Sequence, residues 1–294
     1  MLLIWILLAL IILIGLLHLW IKKTYQYHKT KHQATPANIG IKFQEIWFPK
    51  KNGRQLYGWW VPNQHKPTAI DPTLILVHGW GRNVERMMPY IQELHPKGYN
   101  LLALDLRNHG SSDEDGYSTI LGFAQDISAA VDFVEGQIPA ERRKIGVIGL
   151  SVGGASAIYA ASIDNRIKAV ATVGSPAHPA NVMRSEFQKK HIPYFPLIWL
   201  FLKYLQLKAG VKFDKIAPVN NIQNIEGSVF LIHGHHDKVI PIEQWKRLRD
   251  AGNHETIRFW DVPDKGHSDC HYHPEFWERL ESFCKQLFQG QNKV

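Results

Sequence analysis

Lys144-Ile145-Gly146-Val147-Ile148-Gly149-Leu150-Ser151-Val152-Gly153-Gly154 joins two patterns back to back. The first half is a short, continuous apolar run of the kind that forms a strand buried on both faces. The residues after it, Ala155 to Ala161, are rich in alanine and read as a helix. Ser151 stands at the junction, flanked two positions away on either side by Gly149 and Gly153.

Counted alone, this G-x-S-x-G pattern is weak evidence, because ordinary Gly and Ser frequencies produce it about 0.1 times per chain of this length. Its setting gives it weight. A serine lifted on a sharp strand-to-helix turn needs minimal neighbours two residues away. The same turn places it at a helix N-terminus, where the backbone N–H of Val152 can stabilise a developing oxyanion.

Working outward, short apolar runs alternate with stretches of helical period. The runs are Thr73–Val77, Asn100–Asp105, Lys144–Leu150, Ala169–Gly174, Ser228–His233 and Thr256–Val262, with helices expected at about 84–97, 118–136, 152–163, 241–251 and 274–288. Ile41–Phe48 and Arg54–Val61 are strand-like and separated by Asn52-Gly53, a hairpin signal. A hairpin leading into repeated β-α units predicts the α/β class, a mostly parallel sheet with helices on both faces. Between Pro176 and Glu226 about fifty residues replace a single crossover helix. Their aromatic-rich centre, Ile192 to Leu207, suits a cap over an apolar pocket.

A serine hydroxyl is a poor nucleophile until a base takes its proton, and the base needs a partner that fixes its tautomer. Asp237 follows the run ending at His233, and His267 follows the next run, within Asp264-Lys265-Gly266-His267-Ser268. The order Ser, Asp, His, each after a different parallel strand, matches what this architecture requires. The chain has 16 histidines, so position, not residue type, singles out His267. Asp261 and Asp264 are alternative acids but lie in the histidine's own neighbourhood. A second oxyanion donor is expected in His78-Gly79-Trp80-Gly81, with the Trp80 N–H preferred and Gly81 the alternative. Cys270, His271 and His273 lack a second pair at ligand spacing, so no metal is expected, and the chemistry asks for no cofactor.

With these motifs in hand, residues 41 to 290 resemble the α/β-hydrolase superfamily, and most resemble its cap-bearing serine esterases and its monoacylglycerol-lipase-like and serine aminopeptidase-like members. The resemblance also rests on Asp105-Leu106-Arg107-Asn108-His109-Gly110-Ser111-Ser112. It implies a bracing role for Asp105, Arg107 and His109. Asn108 departs from the glycine common in that family. The resemblance implies a serine hydrolase cleaving carboxylic esters; an acyltransferase, a peptidase or a thioesterase would use the same residues, and a non-catalytic scaffold would keep the fold alone.

The N-terminus has a separate reading. Leu2 to Ile21 is apolar apart from Gly15 and His18 and carries no formal charge. About 20 helical residues cover a ~30 Å hydrocarbon core. No Lys or Arg precedes the run and no small-residue cleavage site ends it, which disfavours a signal peptide. The expected organisation is a transmembrane anchor over 1–21, a linker over 22–40 and the α/β-hydrolase domain over 41–294, with the cap insertion at about 176–226. Lys22, Lys23, Lys29 and Lys31 follow the run, so the positive-inside rule predicts a cytoplasmic domain. A net charge of +8 without a dense basic tract favours an anionic membrane surface over nucleic acid as partner. A hydrophobic or lipid-like ester is the expected substrate. Cys270 and Cys284 leave a disulfide open, and no feature specifies an oligomeric state.

Overall fold

The computed structural model describes residues 1–25, 29–64, 70–189, 191–252 and 255–288. The side chains of residues 2, 3, 10, 20–25, 185, 186, 188 and 189 are outside that description. Part of the expected linker, residues 26–28, and the flanking side chains of Lys22 and Lys23 therefore lie outside the described residues.

Eight strands form one sheet: β1 (Gln44–Pro49), β2 (Gln55–Val61), β3 (Asp71–Val77), β4 (Asn100–Leu104), β5 (Arg143–Leu150), β6 (Ile167–Val173), β7 (Ser228–Gly234) and β8 (Ile257–Val262). Their spatial order is β1-β2-β4-β3-β5-β6-β7-β8. The hairpin expected at Asn52-Gly53 is present: β1 and β2 pair antiparallel, with Gln44 opposite Trp60 and Pro49 opposite Gln55. β2 is also antiparallel to β4, and every pairing from β4 to β8 is parallel.

The helices are α1 (Leu2–Tyr25), α2 (Met88–Leu94), α3 (Ile120–Gln137), α4 (Val152–Ala161), α5 (Pro179–Lys189), α6 (Trp199–Ala209), α7 (Phe213–Ile216), α8 (Pro218–Asn221), α9 (Ile242–Ala251) and α10 (Phe276–Cys284). Strand alternation divides the core into two layers. Ile75, Val77 and Val147 face Phe123, Ile127, Ala157 and Leu248 of α3, α4 and α9. Leu74, Leu76 and Ile148 face Ile91, Leu94, Phe276 and Leu280 of α2 and α10. Thr119 caps α3, its Oγ1 accepting from Gly122 N at 3.0 Å.

The single helix expected at 84–97 is instead three pieces, with 3₁₀ turns at Val84–Met87 and His95–Lys97 around α2. Pro89 and Pro96 lack the N–H a continuous helix needs, and each opens its own piece. The residues from Pro176 to Glu226 hold α5 to α8 between the adjacent strands β6 and β7. Phe201, Leu202 and Leu205 of α6 pack there with Ile120, Ala155, Phe213 and Ile216.

α1 runs for 24 residues, and Leu17 packs against the cluster around α6. His18 Nδ1 lies 2.8 Å from the Tyr204 hydroxyl. Among the described residues, no helix is long and apolar enough to cross a membrane. The span expected at 1–21 thus has a helix at its position but no support as a crossing. Cys270 and Cys284 are free and buried, and burial pushes both thiols up to about 12.

Candidate active site

The residues singled out along the sequence meet at the carboxyl ends of the parallel strands. Ser151 sits between β5 and α4 at φ +53°, ψ −122°. A Cβ on Gly149 would come within 2.6 Å of the Gly153 carbonyl oxygen, and one on Gly153 within 2.4 Å of the His78 oxygen. Glycine at both positions is thus a steric requirement of the turn. The turn is held by Ser151 N donating to Val173 O at 2.8 Å.

His267 Nε2 is 3.0 Å from Ser151 Oγ, and His267 Nδ1 is 2.6 Å from Asp237 Oδ2. Asp237 Oδ1 accepts from the backbone N–H groups of Val239 and Ile240, both at 2.8 Å, which fixes the carboxyl plane and presents Oδ2 to the imidazole. The Asp237 side chain is fully buried, whereas that of His267 is partly open to the site. Among the described residues Asp237 is the only carboxylate paired with His267. Of the two alternative acids, Asp261 instead pairs with His235 at 2.8 Å, and Asp264 occupies a turn at φ +55°.

Across from Ser151 lies the loop after β3. Gly81 N donates to His109 Nε2 at 3.1 Å, so its N–H points away from the serine. Trp80 and Val152 line the same cavity as Ser151, and Val152 N–H belongs to the first turn of α4, whose donors have no acceptor within the helix. His78 is buried, with Nε2 accepting from Leu106 N at 3.1 Å and Nδ1 donating to Gly79 O at 2.8 Å. Burial, with His109 beside it, lowers its pKa to about 3.

Asp105 receives Val84 N at 2.6 Å and Ser111 N at 2.7 Å, which ties together the loops after β3 and β4. Burial pushes its carboxyl up to about 7. Arg107 forms a forked pair with Asp126, and Lys50 and Asp115 complete a buried four-charge network. Asn108 adopts φ +65°, so the residue standing in for glycine keeps the left-handed turn. Its Oδ1 accepts from Asp115 N at 2.8 Å, and its Nδ2 donates to Ser118 Oγ at 3.2 Å.

Three neighbours of the site carry no advance signal in the sequence. Gly174 has φ +65°, and a Cβ there would stand 3.0 Å from His267 Nδ1. His233 donates through Nε2 to Ile240 O at 2.9 Å and lies 3.7 Å from Asp237 Oδ2, directly behind the acid. Lys50 enters the charge network from the end of the β1–β2 hairpin. The sequence itself carries the G-x-S-x-G spacing, the downstream Asp237 and His267, and the His78–Gly81 loop as readable chemistry. Cys270, His271 and His273 form no metal-capable group among the described residues.

Above Ser151 is a cavity of about 450 Å³, walled by Met183, Phe187, Leu205 and Phe213. Its size is that of a small-molecule site. Residues 74–280 match the model of the alpha/beta hydrolase family.

The chain belongs to the alpha/beta hydrolase family.

Among proteins of that architecture, it is 23% identical over 250 residues to the Arabidopsis thaliana alpha/beta hydrolase domain-containing protein WAV2, covering 81% of this chain and 76% of the relative. It is 28% identical over 259 residues to the uncharacterized protein YfhR of Escherichia coli K12, covering 85% and 83%. An esterase from Pyrococcus furiosus is similar in structure, with a TM-score of 0.72 and 26% identity over 89% of this chain and 98% of the other.

Proposed function

We propose that this alpha/beta hydrolase is a serine esterase acting on apolar carboxylic esters, held at a membrane by α1. The carrying observation is the unbroken hydrogen-bond chain from Ser151 Oγ through His267 to Asp237, at 3.0 and 2.6 Å. His267 Nε2 takes the Ser151 proton as Oγ bonds to the ester carbonyl carbon, and the carbonyl oxygen becomes an oxyanion facing the N–H groups of Val152 and Trp80. The orientation of Gly81 N–H toward His109 favours Trp80 over Gly81 as the second donor. As the carbon–oxygen bond to the leaving alcohol breaks, His267 returns the proton to that oxygen. Water then attacks the acyl-enzyme, giving its proton to His267, and the acid leaves as Ser151 is reprotonated. Asp237 holds the Nδ1–H tautomer throughout.

The apolar walls around Ser151 favour a hydrophobic acyl or alkyl chain, with α5 to α8 acting as a cap. The similarity to an esterase supports the reaction class. The charge-free run from Leu2 to Ile21, with Trp5 and Leu13 exposed on α1, supports the membrane attachment. The test is labelling by a fluorophosphonate probe, which should modify the native chain and not Ser151→Ala. Equal labelling of both would remove Ser151 as the nucleophile. Product analysis with and without an added alcohol separates hydrolysis from acyl transfer.

A further inference from the structure

The segment from Tyr194 to Ala209 has two unlike faces. Ile198, Phe201, Leu202 and Leu205 are buried in the cluster with Ile120, Ala155, Phe213 and Ile216, and Leu205 also lines the cavity. The outer surface exposes Phe195 (71%), Leu197, Leu200 and Leu207 (78%). Soluble surfaces seldom gather so many large apolar side chains in one place without a partner.

Cations accompany aromatics around this surface. Lys203 Nζ lies 5.9 Å from the Trp199 ring centre, Lys208 Nζ 5.7 Å from that of Tyr204, and the Arg184 guanidinium 4.6 Å from that of Tyr194. From Ile192 to Phe213 the sequence contains Lys203, Lys208 and Lys212 and no Asp or Glu. Exposed leucine and phenylalanine, ringed by Trp, Tyr and Lys, is the composition that settles at the boundary between acyl chains and headgroups. Lysine stems lie along apolar surface while their ammonium groups reach the phosphates.

From this we infer that the outer face of α6 and the residues leading into it dock on an anionic lipid surface. Two further observations select lipid over a second copy of the chain. A self-complementary contact would press lysines against lysines, and the exposed acid nearest them in sequence, Asp214, is already paired with His178 at 3.0 Å. The segment also lies against α1, whose Leu17 packs on the α6 cluster, whose His18 Nδ1 is 2.8 Å from the Tyr204 hydroxyl, and whose exposed described side chains are apolar. Lys208 lines the cavity as well, so docking sets the cavity's mouth at headgroup level, where an amphiphilic ester could enter without crossing water. The inference stands beside the proposed attachment through α1 and does not need α1 to span the bilayer.

The test uses the full chain with Leu207→Cys carrying an environment-sensitive dye. The native cysteines are buried and leave the new thiol as the labelling site. Glu141→Cys, exposed just ahead of the central strand β5 and so at the amino ends of the parallel strands, opposite the end that carries Ser151, is the control. Each chain is floated with phosphatidylcholine vesicles and with vesicles of equal parts phosphatidylcholine and phosphatidylglycerol. The expected result is a blue-shifted dye at position 207 on the anionic vesicles, with the dye at position 141 unchanged. Each lysine near an anionic leaflet is worth about fivefold in binding, so Lys203→Glu with Lys208→Glu should weaken the shifted state at least ~25-fold; circular dichroism checks that this variant is folded. Flotation with both vesicles while the dye at 207 still reports water overturns docking and leaves attachment through α1 standing. Flotation and dye shift on anionic vesicles alone supports docking and removes α1 as an anchor. Equal shifts at 207 and 141 also overturn the inference.

Discussion

Ser151 holds a backbone conformation that non-glycine residues rarely adopt, and the nucleophilic role proposed for it makes demands on its partners. Asp237→Asn keeps the size of the side chain but loses the preference for the Nδ1–H tautomer of His267. A fall in kcat of about 10⁴-fold is expected, with the fold unchanged. A loss below tenfold in steady-state ester hydrolysis would mean that Asp237 does not orient the base. His78 makes a pH prediction. Its folded pKa is about 3, below the ~6.5 of an unfolded histidine. The unfolded chain therefore binds the extra proton, and this contribution to stability is intact above about pH 6.5 and is lost as pH falls toward 3. In imidazole-nitrogen NMR spectra His78 should stay neutral at pH 5; titration near 6.5 in the folded protein would refute it. Asn108 shows why such details escape a sequence reading. A non-glycine residue in a left-handed turn is legible only once its side chain is seen bonding Asp115 and Ser118.

Strands and the loops that follow them deliver the site. The six parallel-type runs were readable because burial on both faces leaves continuous apolar sequence, and observed strand ends differ from the expected ones by one to a few residues. The break of the 84–97 helix was also written in Pro89 and Pro96, but periodicity alone ran across them. Gly174 was read only as the end of a strand, because its role comes from His267, remote in sequence. Gly174→Ala would add strain at φ +65° and crowd His267 Nδ1. A displacement near 1 Å in such a site costs on the order of 10²-fold, so kcat should drop by about that factor while circular dichroism stays native. Unchanged kcat would show that the imidazole has room. In the brace beneath the site, Arg107→Met leaves the buried Asp126 with Lys50, at 3.5 Å, as its one cation in the network, beside the backbone N–H of residue 107 at 2.9 Å. Removing one member of such a buried network costs about 3 kcal/mol, readable as a lower urea midpoint at unchanged slope; a change under about 1 kcal/mol would mean the network holds little.

At the scale of the molecule, the sheet brings together Ser151, Asp237 and His267 from three different strand ends, and sequence order sufficed to foresee that meeting. The shape of the cavity was not foreseeable, because it depends on how α5 to α8 fold back over the sheet and on side chains from distant segments. Its apolar walls predict a chain-length dependence for ester substrates. Each additional buried methylene contributes ~0.8 kcal/mol, so kcat/KM should rise roughly fourfold per carbon until the cavity is filled. A series in which acetyl esters outrun longer ones would contradict the assignment of an apolar acyl site. The segment that forms those walls leaves the sheet after β6, and Val219 N donates to Ala177 O at 3.0 Å, so its two ends lie side by side before the chain goes on to β7. A segment with such close ends can change length at a slowly growing entropic cost, and Ser151, Asp237 and His267 all lie outside it. Evolution, or a protein engineer, can therefore graft a different span between residues 177 and 219 and obtain a new diet while Ser151, Asp237 and His267 stay where they are.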